Sequence, residues 1–137
     1  MAKLKLDLPP DPEVTVIGIS SHVNDYRLCW SINKALGIAL SKRRQAIEQM
    51  DNDHPGSFSA FDHLDEEVQA CCTLVNNHGS DGILLRELRQ ADYFLVLDKD
   101  WRTSPTEVLR QLRSAEFVLA AFPLEFDQLK EGHKLLL

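Results

Sequence analysis

No run in this chain approaches the ~20 consecutive apolar residues that cross a bilayer as a helix. The opening MAKLKLDLPPDP lacks the apolar core of a secretory leader. Cysteine is scarce: there are three, an odd number that cannot all pair within the chain. A disulfide scaffold is therefore not expected, and a reducing, cytoplasmic setting is. Cys71 and Cys72 are adjacent and no CxxC spacing occurs, so the usual zinc and redox patterns are missing. Phosphate-cradling loops of the GxGxxG or Walker A type and the GxSxG elbow of serine hydrolases are missing too. Positive charge is in deficit, with 15 Lys and Arg against 21 Asp and Glu and a net charge of −6. That balance opposes broad electrostatic binding to nucleic acid or to an anionic membrane.

What is present reads as one globular α+β domain spanning residues 1–137, with 44% hydrophobic and 26% charged residues. Leu4, Leu6 and Leu8 alternate with polar residues until Pro9 and Pro10 end the pattern. VTVIGI (14–19) is apolar on both faces and suits a central strand. A first helix is expected over residues 21–36, with Gly37 as its C-terminal cap. Weak alternation over 38–50 suggests a strand, and DNDHPG (51–56) is turn chemistry. Residues 57–61 and 68–75 read as a hairpin around the acidic tip DHLDEE, and NNHGSDG (76–82) as a loop. ADYFLVL (91–97) reads as another central strand. The second helix has the clearest start, with Ser104 as cap, Pro105 at the first helical position and Glu107 completing a capping box. Val108, Leu109 and Leu112 give it a buried side, and a last strand runs over 117–122 up to Pro123. This order predicts a mixed, mostly antiparallel sheet of about five to six strands covered by two helices, with strand–helix–strand crossovers.

The densest set of reactive side chains is SSHVNDYRLCWSINKALG, residues 20–37. At 100° per residue, Leu28, Cys29, Ile32, Ala35 and Leu36 share one side of the first helix, so Cys29 reads as a core residue. Ser20, Ser21 and Asp25 read as capping and dipole-compensating groups. Val23, Tyr26 and Trp30 fall on a different side, as an apolar strip either for a partner interface or for cover by residues 4–8 or 135–137 of the same chain. Cys72 groups with Ala70 and Leu74 on one strand face. The five histidines are scattered, and although His54, His63 and a cysteine could be assembled into a zinc site, no spacing demands it. Lys42, Arg43 and Arg44 form the only basic triplet and lack interleaved aromatics, so a solvated strand edge explains them. No catalytic set, metal site or cofactor is expected.

The run LRELRQADY (85–93) resembles the signature of the bacterial IPExxxVDY family, found mainly in Bacteroidetes and their relatives. Glu87, Asp92 and Tyr93 match that pattern, while Leu85, Arg86 and Ala91 replace its Ile, Pro and Val. IGISSHVNDYRLCWSINKALG also looks like that family's N-terminal segment, and the resemblance extends over most of the chain. It implies a bacterial cytoplasmic protein and carries no activity with it. It also marks Glu87, Asp92 and Tyr93 as a candidate binding corner.

The expected function is therefore a non-enzymatic binding or protein-interaction module that forms a homodimer, without nucleic acid or membrane as partner. Two other classes are distinguishable from it. One is an enzyme with a pocket near Asp92, Tyr93 and the start of the first helix; the other is a nucleic-acid-associated regulator using Lys42 to Arg44.

Overall fold

The computed structural model describes residues 13–51, 54–79 and 82–136. The expected strand at Leu4–Leu8 lies outside them. Along the chain run β1 (Val14–Ser20), α1 (Asp25–Leu36), β2 (Ser41–Lys42), β3 (Ile47–Asp51), β4 (His54–Phe58) and β5 (Ala60–Asp65). There follow β6 (Ala70–Asn76), β7 (Tyr93–Asp98), α2 (Pro105–Arg113) and β8 (Ala120–Leu124). Six strands form one sheet in the order β2-β5-β6-β7-β1-β8, while β3 and β4 pair separately. The fold is α+β, as the order of elements predicts, but the sheet is not mixed. Every pairing in it is antiparallel. β7 and β8 both run antiparallel to β1, which lies between them, so the connection through α2 returns a parallel strand only by passing over β1.

The two sheet faces are covered differently. Ile17 and Ile19 of β1, Cys72 and Leu74 of β6, and Leu95 and Leu97 of β7 pack under Leu28, Cys29 and Ile32 of α1 and Val108 and Leu112 of α2. Full burial of a Leu or Ile side chain contributes about 1.5–3 kcal/mol, so the helices are held mainly by this stripe. On the other face, Val16, Val75, Phe94 and Val96 lie under Ile47 and Phe58 of the β3–β4 hairpin, Leu84 and Leu85, and Leu135 near the C-terminus.

Several boundaries differ from expectation. α1 begins at Asp25 rather than Ser21, and its cap is Asn24, whose side chain accepts from the Arg27 N–H at 3.0 Å. Ser20 and Ser21 do not cap: the Ser20 hydroxyl donates to the Gln90 carbonyl, and the Ser21 N–H donates to Asp92. Tertiary ties hold these residues off the helix. Gly37 does cap the C-terminus, at φ 67° and ψ 41°, a left-handed conformation that glycine enters without a Cβ clash. Ser104 accepts from the Glu107 N–H at 3.2 Å, but the Glu107 carboxylate turns to Arg110 instead of closing the box.

The segment 38–50 divides into the two-residue edge strand β2 and the start of β3. Asp51 and His54 to Gly56, expected in a turn, are strand residues of the β3–β4 hairpin. The acidic stretch is not simply a solvated tip, because β5 runs to Asp65 and only residues 66–69 turn. Pro123 does not end the last strand. It sits inside β8, an edge strand, where a missing ladder donor is tolerated.

Candidate functional site

The corner formed by Glu87, Asp92 and Tyr93 is built from ties between backbone segments. Asp92 immediately precedes β7; one oxygen of its carboxylate accepts the Ser21 N–H at 2.9 Å and the other lies 3.4 Å from His78 Nε2. The Tyr93 ring is buried and its hydroxyl donates to the Val23 carbonyl at 2.9 Å. Burial, reinforced by the nearby Asp25 and Asp92 carboxylates, pushes that hydroxyl up to about 12. Glu87, on an exposed 3-10 turn, accepts the Glu131 N–H at 3.1 Å. Arg86 opens that turn although the resemblance places proline there, and the Leu88 N–H closes it on the Leu85 carbonyl. Asn77, which the sequence did not single out, is fully buried beside this corner. Its amide donates to the Leu88 and Ala91 carbonyls and its oxygen accepts the Leu85 N–H, so one side chain satisfies three backbone groups.

The thiols are poor nucleophiles. Cys29 lies in the core stripe at 5% exposure, and burial aided by the Asp25 charge pushes its thiol up to about 12. Cys72 is fully buried and raised further by the same cause, whereas Cys71 points to the opposite face and is half-buried. There it neighbours a polar group in which Arg43 makes two bonds to Asp62, at 2.8 and 2.9 Å, and Thr73 donates to Asp62 at 2.6 Å. The Arg43 hydrogen bonds hold the Asp62 carboxyl below the usual carboxylate range. Among the described residues no group of three or more His, Cys, Asp or Glu side chains could hold a metal ion. His63 accepts the Ala39 N–H through Nδ1 and meets Trp101 edge-on.

The strip on α1 is the feature left open. Val23 packs against the core edge, but Tyr26 is 60% and Trp30 53% exposed. The Tyr26 ring meets Phe61 edge-on at 5.9 Å, which fixes its orientation. Trp30 separates two shallow grooves. The first, of about 450 Å³, is lined by Tyr26, Arg27, Trp30, Glu116 and Phe117, and the second runs from Trp30 past Lys34 to Ser114. The far wall comes from the loop after α2, docked by a hydrogen bond from the Ser31 hydroxyl to the Glu116 carbonyl. Phe117 reaches the groove from a left-handed backbone, φ 72°, which no local pattern foreshadows.

Each of three rings carries a cation. Arg27 lies 4.8 Å from the Phe117 centroid, Lys34 5.2 Å from Trp30 and Lys42 5.3 Å from Tyr26. None of these cations forms an ion pair among the described residues. The basic triplet is thereby split: Lys42 joins the aromatic face and Arg43 serves Asp62. No helix among the described residues is long and apolar enough to cross a membrane. No family model and no curated protein matches the chain.

Proposed function

We propose that this protein is a non-enzymatic protein-interaction module that docks a second copy of itself on the Trp30 face of α1. The observation that carries the reading is the pair of exposed rings, Tyr26 and Trp30, standing beside open grooves on an otherwise ordinary helix. Trp and Tyr supply large, rigid contact area and are common energetic anchors of interfaces. The enzyme reading loses ground because the Tyr93 hydroxyl is engaged with backbone, Asp92 is shared between the Ser21 N–H and His78, and the thiols are buried or raised. The nucleic-acid reading loses ground because Arg43 is spent on Asp62. A bacterial cytoplasmic setting is part of the proposal, supported by the resemblance to the IPExxxVDY family and by three free cysteines.

Light scattering coupled to size exclusion tests the reading. The intact protein should run as a dimer and Trp30→Glu as a monomer with unchanged circular dichroism. Loss of an anchoring Trp costs about 2 kcal/mol or more, roughly a thirtyfold weakening. A monomeric wild type, or a variant that stays dimeric, overturns it.

A further inference from the structure

The two flanks of the Trp30 face end in opposite charges, and helical geometry fixes which residue stands on which flank. At 100° per residue, Tyr26 lies about 40° to one side of Trp30, and Lys34, Arg27 and Ser31 lie about 40°, 60° and 100° to the other. The Tyr26 flank leads to the β2–β5 edge of the sheet. There the Tyr26 ring meets Phe61 of β5, and Lys42 of β2 stands over that ring and donates to its hydroxyl. The Ser31 flank leads to the loop after α2, where the Ser31 hydroxyl holds the Glu116 carbonyl. Glu116 is the one acidic residue lining either groove. It is exposed, and neither it nor Lys42 forms an ion pair among the described residues. A cation thus closes one margin of the face and a carboxylate the other, with Trp30 between them.

A surface with opposite charges at opposite margins is complementary to its own copy, in one orientation. The two-fold axis relating two such faces lies in the plane of contact. Laid across α1, the axis reverses the helix and keeps each flank on its own side. Glu116 then meets Glu116, Lys42 meets Lys42, and Arg27 meets Lys34, so every juxtaposition is like on like and opposes association. Laid along α1, the axis keeps the two helices parallel and exchanges the flanks. Glu116 of each copy then meets the margin that carries Lys42 of the other. Arg27 crosses with it to the level of Tyr26, about 1.5 Å away along the helix, where an exposed ring receives a guanidinium. Lys34 crosses to the level of Asn33, which is uncharged.

We infer that two copies pack with their α1 helices parallel about an axis running along Trp30, and that Glu116 of each pairs with Lys42 of the other. The inference rests on the proposed interaction reading and names the pair that fixes its orientation. The same pair gives Lys42 a use that the rest of the basic triplet does not share, since Arg43 is bound to Asp62.

Charge exchange tests it, with dissociation constants from light scattering or sedimentation on dilution and circular dichroism as the check on folding. Glu116→Lys and Lys42→Glu should each weaken the dimer about tenfold, because each sets two like pairs into one isologous contact. The double variant Glu116→Lys/Lys42→Glu should return to within about threefold of wild type. An equimolar mixture of the two single variants should form heterodimers tighter than either homodimer, because both of its pairs are then opposite in charge. Single variants that dimerise as wild type does, while Trp30→Glu is monomeric, overturn the orientation and leave the docking face standing. A double variant or a mixture as weak as the single variants overturns the pair. A monomeric wild type, or Trp30→Glu that stays dimeric, overturns both the orientation and the docking face.

Discussion

Removing the Tyr93 hydroxyl isolates one of the ties that hold the start of α1. Tyr93→Phe keeps the buried ring and deletes only the bond to the Val23 carbonyl, which is 2.9 Å long and half-buried. A hydrogen bond of this kind contributes about 0.5–1.5 kcal/mol. The expected loss at pH 7 is therefore about 1 kcal/mol, read as a lower urea midpoint with an unchanged slope. The alkaline limb supplies a second reading with a definite sign. The folded hydroxyl is held up to about 12, whereas an unfolded tyrosine ionises near 10. The neutral form is thus favoured by folding, and its contribution is fully present below pH ~10 and lost as pH rises towards 12. The phenylalanine variant has no such group, and the remaining titrations are common to both proteins. Wild type should be the more stable at pH 7, and the difference should shrink above pH 10 and then invert. Equal midpoints at pH 7, or a difference that stays constant up to pH 11.5, would refute the buried donor.

Ser104→Ala should lower stability by about 0.5–2 kcal/mol in urea unfolding, through loss of the acceptor for the Glu107 N–H. Equal midpoints for the two proteins would remove the cap. Cys29 should react with a thiol reagent only on unfolding, since its thiol is buried and its thiolate disfavoured. Fast, complete modification of Cys29 in folded protein would contradict that placement.

The legible parts of the fold were those decided locally. α2 announced itself through Ser104, Pro105 and the apolar stripe, and the cap forms as read. β1 and β7 were visible as short apolar runs because both of their faces are covered. The sheet order was not visible, because it depends on pairings between residues more than eighty positions apart, such as Val14 with Asp98. The β3–β4 hairpin was missed where Asp51, His54 and Gly56 carry turn residues into strands. Pro123 was misread because nothing local distinguishes an edge strand from a central one. Of the candidate site, helical geometry placed Tyr26 and Trp30 together, as the structure does. It could not place Phe117, which arrives from 87 residues beyond Trp30 on a left-handed backbone. The opposite wall of a groove is a tertiary fact.

Glu87, Asp92 and Tyr93 tie distant parts of the chain together. Each bonds a backbone group far along the chain, at separations of 44, 71 and 70 residues. Side chains that hold distant backbone together are chemically specific without being reactive, because only an acceptor or donor at that position satisfies the backbone partner. Asp92 and Tyr93 in particular pin Ser21 and Val23, and so keep the chain extended until Asn24 can cap the helix. Where the helix begins sets its rotation on the sheet, and that rotation decides which side chains face inward. Leu28, Cys29 and Ile32 are turned to the core, and Tyr26 and Trp30 to solvent. Asp92 and Tyr93 thus set how α1 presents its exposed aromatic side chains.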